Sequence, residues 1–408
     1  MIPRTLENTI RKAMRTFPAV VVTGPRQSGK TTLLQYGWGS SHRFVTLEDP
    51  DVRMRAQEDP RGFLDFHSPP VILDEIQYVP ELLSYIKTMI DEDRRPGRWL
   101  FTGSQNFPLM HGISQSLAGR AAVLCLLPFS LSEIAGRGLQ SLDPAKLLKA
   151  KADTFPTHKA KTSLADWILR GGYPELCRDR KVDRQLWCSS YIATYLERDI
   201  RQLINVTELR AFELFLRACA ARTGQILKLS ELARDIGVSV PTTRRWLSAL
   251  ETSRQVYLLM PYYKSLGKRL VKSPKIYFLD TALCTYLMGI HDSEVLLNGQ
   301  SFGALFETAI VADWVKRYLH GGYQPPLYYL RTRDGLEVDL LIEECQKLNL
   351  LEIKASMTLT PKHSQPLKLW RKQLGARVGL TALIGRVKKI EPLSRGIMAL
   401  PWNTYLSS

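Results

Sequence analysis

The stretch AVVVTGPRQSGKTT, residues 19–32, limits what this chain can fold into more than any other segment. Four apolar residues before a turn read as a buried strand, and the loop behind them has the spacing G-x-x-x-x-G-K-T. Gly24, Pro25, Arg26, Gln27, Ser28, Gly29, Lys30, Thr31 and Thr32 therefore form a candidate phosphate loop. Its glycines let backbone N–H groups wrap phosphates, Lys30 reaches the outer phosphates, and Thr31 binds Mg²⁺. The following helix turns its positive end toward the same anion. ATP with Mg²⁺ is the expected cofactor, and Arg26 is a further candidate for phosphate or partner contact.

The segments RFVTLED, PPVILDE, RWLFTGS and AAVLCLLPFS read as four more strands alternating with helical stretches, the rhythm of a parallel sheet covered by helices. In VILDEIQ, three apolar residues lead into Asp74 and Glu75 at a strand's C-terminal edge, where such sheets bind ligands. Asp74 would complete the Mg²⁺ shell and Glu75 would polarise the attacking water; a helix cap is the alternative for an acidic pair there. Ser104 and Gln105 in TGSQ reach the same edge as sensors of the γ-phosphate. Arg120 in SLAGR is placed for insertion into a neighbour's nucleotide site, or else is an ordinary surface arginine.

GPRQSGKTTLL, VILDEIQ, LFTGSQ, SLAGR with LPFSLSE, RGGYPEL and YLERDI together resemble the AAA+ ATPases that carry a C-terminal DUF4143 domain. The resemblance implies an ATP-driven hexameric ring or switch in which Arg120 acts in trans.

Lys and Arg total 56 against 39 Asp and Glu, a net charge of +17 that suits a polyanionic partner such as DNA. ELARDIGVSVPTTRRWLSALE has the spacing of a winged helix-turn-helix, with Thr242, Thr243, Arg244 and Arg245 at the start of the second helix. The wing YKSLGKRLVKSPK adds Lys264, Lys268, Arg269 and Lys272; protein contacts are the alternative use of this surface. The six scattered cysteines form no zinc or disulfide pattern and read as reduced core residues. No apolar run approaches the ~20 residues of a membrane span and no signal peptide is legible, so a cytoplasmic protein without a membrane partner is expected.

EVDLLIEECQKLNLLEIKAS reads as two strands joined by a turn, with Asp339 on the first, Glu352 on the second and Lys354 two residues on. Paired as a hairpin, they would bring two carboxylates together around Mg²⁺ or Mn²⁺, with Lys354 placing a water or steadying the phosphorane. Glu307, on the amphipathic segment SFGALFETAIVADWVKRY, would add a ligand or hold a metal-bound water. The set Glu307, Asp339, Glu352, Lys354 resembles the PD-(D/E)XK nuclease fold in its Holliday-junction-resolvase-like branch, with Val338 where the name has proline. A buried ion pair without cleavage is the alternative.

The expected fold is α/β: a P-loop AAA+ ATPase domain over 1–135, a helical connector over 136–225, a winged helix over 226–290 and a restriction-endonuclease-like α/β domain over 291–408. The expected function is an ATP-driven motor on branched DNA with a metal-dependent nuclease-like domain. The alternative is an ATP-dependent regulatory switch that binds DNA or protein without translocating or cutting.

Overall fold

The computed structural model describes residues 2–103, 116–136, 162–196, 209–262 and 271–403. Near the N-terminus, β1 (Ala19–Thr23), β2 (Arg43–Thr46), β3 (Val71–Asp74), β4 (Trp99–Thr102) and β5 (Ala121–Cys125) form a parallel sheet in the order β2-β3-β4-β1-β5. All residues of β1, β3 and β4 are buried. That is the condition of a parallel sheet with helices on both faces, and it explains their continuous rather than alternating apolar runs. The Leu82–Glu92 helix covers one face with Leu82, Leu83, Ile86 and Ile90, and the Thr5–Ala13 helix covers the other with Leu6 and Ile10. Because β4 lies between β3 and β1, the C-terminal ends of all three open onto one edge.

In the middle of the chain, the Leu229–Ile236 helix stops at Gly237, whose φ of 72° suits a residue without a Cβ. Ser239 then caps the Val240–Thr252 helix by accepting from the Thr242 N–H. β6 (Gln225–Ile226) and β7 (Val256–Pro261) flank β8 (Lys275–Phe278) in antiparallel pairs. Two helices joined by a tight turn, with these short strands beside them, thus occupy this part of the chain.

The strands do not end there. β7 pairs in parallel with β9 (Leu327–Arg331), which pairs with β10 (Glu337–Glu344), and β11 (Lys347–Ile353), β12 (Val378–Gly385), β13 (Glu391–Ser394) and β14 (Ile397–Pro401) complete a nine-stranded sheet. One sheet thus crosses the 290/291 boundary drawn from the sequence. The Phe302–His320 helix is the spine between the two sheets, touching β5 and the Thr5–Ala13 helix as well as β8 and β11. A single apolar cluster runs from Cys125, Leu127 and Leu131 through this helix to Leu400.

Cys125, Cys188, Cys219 and Cys284 are buried, but Cys345 is not the core residue the sequence suggested. It is exposed at the β10–β11 turn with φ 47°, because the hairpin reverses there. Among the described residues no helix is long and apolar enough to cross a membrane.

Candidate functional site

The phosphate loop is assembled by the exit of β1 and the start of the Lys30–Trp38 helix. Gly24 (φ 142°) and Gly29 (φ 92°) take conformations that L side chains avoid, and a Cβ on Gly24 would lie 2.1 Å from the Leu126 carbonyl oxygen. Gln27 and Glu75 also have positive φ, a strain that clusters at ligand sites. The Lys30 amine is buried and folds back onto the carbonyls of Gly24 (3.1 Å) and Pro25 (3.0 Å). Burial lowers its pKa, opposed by Glu75 and Asp74. The Ser28 hydroxyl is buried without a hydrogen-bond partner, a polar group in the loop that an incoming phosphate would satisfy.

Asp74 collects hydroxyls. Its Oδ1 accepts from Thr31 (2.7 Å) and Thr102 (2.6 Å), and its Oδ2 from Thr46 (3.3 Å). The Thr31 hydroxyl and the Asp74 carboxylate are the hard oxygen donors a Mg²⁺ ion takes, and they already sit side by side. The Glu75 N–H donates to the Thr102 hydroxyl at 2.9 Å, and Gln77 donates to the Glu75 carboxylate. Thr102 therefore fixes both acids at once. Sequence reasoning passed over it for Ser104 and Gln105, which lie outside the described residues; the signal was a hydroxyl as the last residue of β4.

Arg120 precedes β5, whose first residue pairs with the first residue of β1. It thus lies at the opposite edge of the sheet from the loop, on the order of 15 Å away at ~3.3 Å per strand residue. There it forms an ion pair with Asp91 at 2.7 Å, so it does not serve its own chain's nucleotide.

A second site lies in a cleft of about 1220 Å³ between β6–β8 and the C-terminal strands. The β10–β11 register, Leu340 opposite Leu351, continues to place Asp339 opposite Glu352. Lys354 Nζ is 2.7 Å from Glu352 and 3.4 Å from Asp339. Glu307 reaches the same floor from the Phe302–His320 helix. A residue that the sequence reading missed joins them: buried Lys275 on β8, 2.9 Å from Glu307, 2.5 Å from Glu337 and 3.9 Å from Asp339. The Tyr277 hydroxyl donates to Glu307 at 2.5 Å. No motif marks Lys275, since only the joined sheet carries it to the acids.

Burial raises the pKa of Glu307 and of Glu352, and the Asp339 charge raises each further, while the lysines oppose this. Burial alone would lower Lys275 and Lys354, but the surrounding carboxylates outweigh it and raise both. Glu352 Oε2 is buried without a hydrogen-bond partner. Among the described residues no three His, Cys, Asp or Glu side chains gather as metal ligands; lysines lie between the acids instead. Lys228, Arg331, Arg333, Lys362 and His363 line the same cleft above this floor.

On the Val240–Thr252 helix, Arg244 and Arg245 are exposed and Thr242 is half-buried. Thr243 is fully buried, its hydroxyl donating to the Ser239 carbonyl at 3.0 Å, so it faces the core and not a groove as the sequence reading had it. Lys272 is exposed; Lys264, Lys268 and Arg269 lie outside the described residues.

A parallel sheet with a phosphate loop, a Thr31–Asp74 pair and Glu75 on one edge defines a P-loop ATPase of the AAA type, and residues 16–135 match the family model described as "AAA domain". Residues 161–294 and 302–405 match two domains of unknown function, DUF8612 and DUF4143. Over 405 residues, 98% of this chain and 83% of theirs, the chain is 31% identical to the uncharacterized proteins Rv2008c of Mycobacterium tuberculosis and Mb2031c of Mycobacterium bovis. It belongs to their family. A Walker-type ATPase of Pyrococcus abyssi, PABY2304, is similar at 16% identity and a TM-score of 0.44, over 70% of this chain and 96% of that one.

Proposed function

We propose that this ATPase couples nucleotide turnover to work on DNA phosphates, and that branched DNA such as a four-way junction is its substrate. The observation that carries the reading is the cleft, with acids on its floor, cations above them, and walls supplied jointly by the winged helix and the C-terminal strands. Cations over a buried acidic floor suit a phosphodiester backbone approaching a metal. Asp339 and Glu352 would hold Mg²⁺ or Mn²⁺, whose chemistry is to polarise the phosphate and lower the pKa of a bound water. The unsatisfied Glu352 Oε2 fits that role. Lys354, against both acids, would place the nucleophile. Arg244, Arg245 and Lys272 would grip the duplex. In a hexameric ring, Arg120 would leave Asp91 to reach the neighbour's γ-phosphate.

Labelled four-way junctions test this with wild type, Lys30→Ala and Asp339→Ala. ATP with Mg²⁺ should move the junction and Lys30→Ala should stop it; Mn²⁺ should give cut strands that Asp339→Ala abolishes. Cleavage surviving Asp339→Ala rejects the site.

One observation favours the second reading, a switch that binds without cutting: Lys275 and Lys354 already stand between the acids. A switch would give no strand products and a DNA affinity that differs between ATP and ADP.

A further inference from the structure

The Phe302–His320 helix ends against the nucleotide domain, where His320 is buried with no exposed surface. Its Nε2 accepts the Leu127 N–H at 3.1 Å, which fixes the proton on Nδ1, 3.4 Å from Glu133 Oε2. The Leu127 carbonyl is held from the other side by Arg4 at 2.5 Å, and the Leu126 N–H donates to the Thr23 carbonyl at 2.8 Å. Leu126 is the residue whose carbonyl backs onto Gly24, so closely that no Cβ fits between them. The wall behind the first glycine of the phosphate loop is therefore clamped by a side chain 193 residues downstream of Leu127. Lys316, one turn earlier on the helix, bonds the Phe129 carbonyl at 3.1 Å, and Asp313 accepts the Leu131 N–H at 2.7 Å. Every second residue from 127 to 131 is thus fastened to the same helix.

We propose that His320 is a positioning residue for the nucleotide site, holding Leu126 and Leu127 so that the phosphate loop keeps the shape that binds ATP. The inference concerns ATP binding alone and stands whether or not the C-terminal cleft handles DNA. Without the imidazole acceptor, the Leu127 N–H is buried and unpaired, the strand exit shifts, and Gly24 loses the surface against which it turns. The effect falls on nucleotide binding, since His320 touches neither Lys30 nor the Asp74–Glu75 pair.

Steady-state ATPase assays on the full chain test it. His320→Leu removes the acceptor and should raise KM for Mg-ATP on the order of tenfold, the size expected for one unsatisfied buried N–H, with kcat within about twofold on the same grounds. His320→Gln offers an amide oxygen near the Nε2 position and should restore most of the KM. A folded His320→Leu protein with the wild-type KM overturns the proposal, as does Gln failing to rescue. Since His320→Leu risks misfolding, the wild-type Leu127 amide supplies a second measurement: AMP-PNP should slow its hydrogen exchange at least about tenfold. Unchanged exchange on saturation overturns the proposal equally.

Discussion

Glu133 offers the sharpest perturbation of the contact between the nucleotide domain and the C-terminal spine. Its side chain is wholly buried, and both oxygens are used. Oε1 accepts from the Thr5 N–H at 2.8 Å and faces Arg4 Nε at 3.5 Å; Oε2 accepts from the Ser130 N–H at 2.9 Å. Burial would raise this carboxyl, yet Arg4, His320 and the Ser130 N–H outweigh it and hold it well below the carboxylate range. Burial pulls Arg4 down as well, but a guanidinium stays charged in proteins, so the two form an ion pair. Cutting Glu133 to alanine strands that guanidinium and two N–H groups away from water. Losing one partner of a buried pair costs about 3 to 5 kcal/mol, so Glu133→Ala should lose about 4 kcal/mol. Replacing both charges by apolar groups of like shape is far milder. Arg4→Met with Glu133→Leu should therefore lie at least about 2 kcal/mol closer to wild type than Glu133→Ala. Urea unfolding followed by tryptophan fluorescence and far-UV circular dichroism reads both. A loss below about 1 kcal/mol for Glu133→Ala, in the range of an exposed pair, would refute the claim that this charge is buried and committed.

Other outcomes follow from the same geometry. His320 sits against Glu133, Arg4 and Lys316, and burial, its largest influence, lowers its pKa below 6.5. The unfolded chain then takes up the proton first, so this stability is full above about pH 6.5 and declines as the pH falls from there toward the folded value; urea midpoints should show the decline in wild type and not in His320→Gln. Thr102→Val removes the hydroxyl that Asp74 and Glu75 share, and should cut ATP turnover on the order of tenfold, as for one hydrogen bond to a charged group. Gly24→Ala should abolish ATP binding in a fluorescent-nucleotide titration, since its Cβ would meet Leu126 and its φ is left-handed. Lys275→Met leaves Glu307, Glu337 and Asp339 without their buried cation and should cost about 3 kcal/mol. If the floor takes a divalent ion, millimolar Mn²⁺ restores that loss in a thermal melt; if it is an ion-pair lock, Mn²⁺ changes nothing.

The nucleotide site was legible because its chemistry is written in consecutive residues. Gly24 to Thr31 must be contiguous to wrap a phosphate, and Asp74 and Glu75 announce themselves by ending an apolar run. The Asp339–Glu352 pairing was legible for a related reason: a hairpin brings near neighbours in sequence face to face. Thr243 misled because a threonine at the start of a helix looks the same whether it turns to solvent or, as here, to the core. Cys345 misled because a lone cysteine ordinarily reads as a core residue, whereas the turn between the two strands holds this one in solvent.

What the chain alone could not state is which distant segments share an environment. Lys275 joins the acids because β7 pairs with β9 and makes two modules one sheet. His320, Lys316 and Asp313 matter because one buried helix meets the exit of β5. Local pattern fixes strands, helices and motifs through backbone sterics and apolar periodicity. The partners of a buried charge depend on how those elements pack, and only the assembled structure decides that.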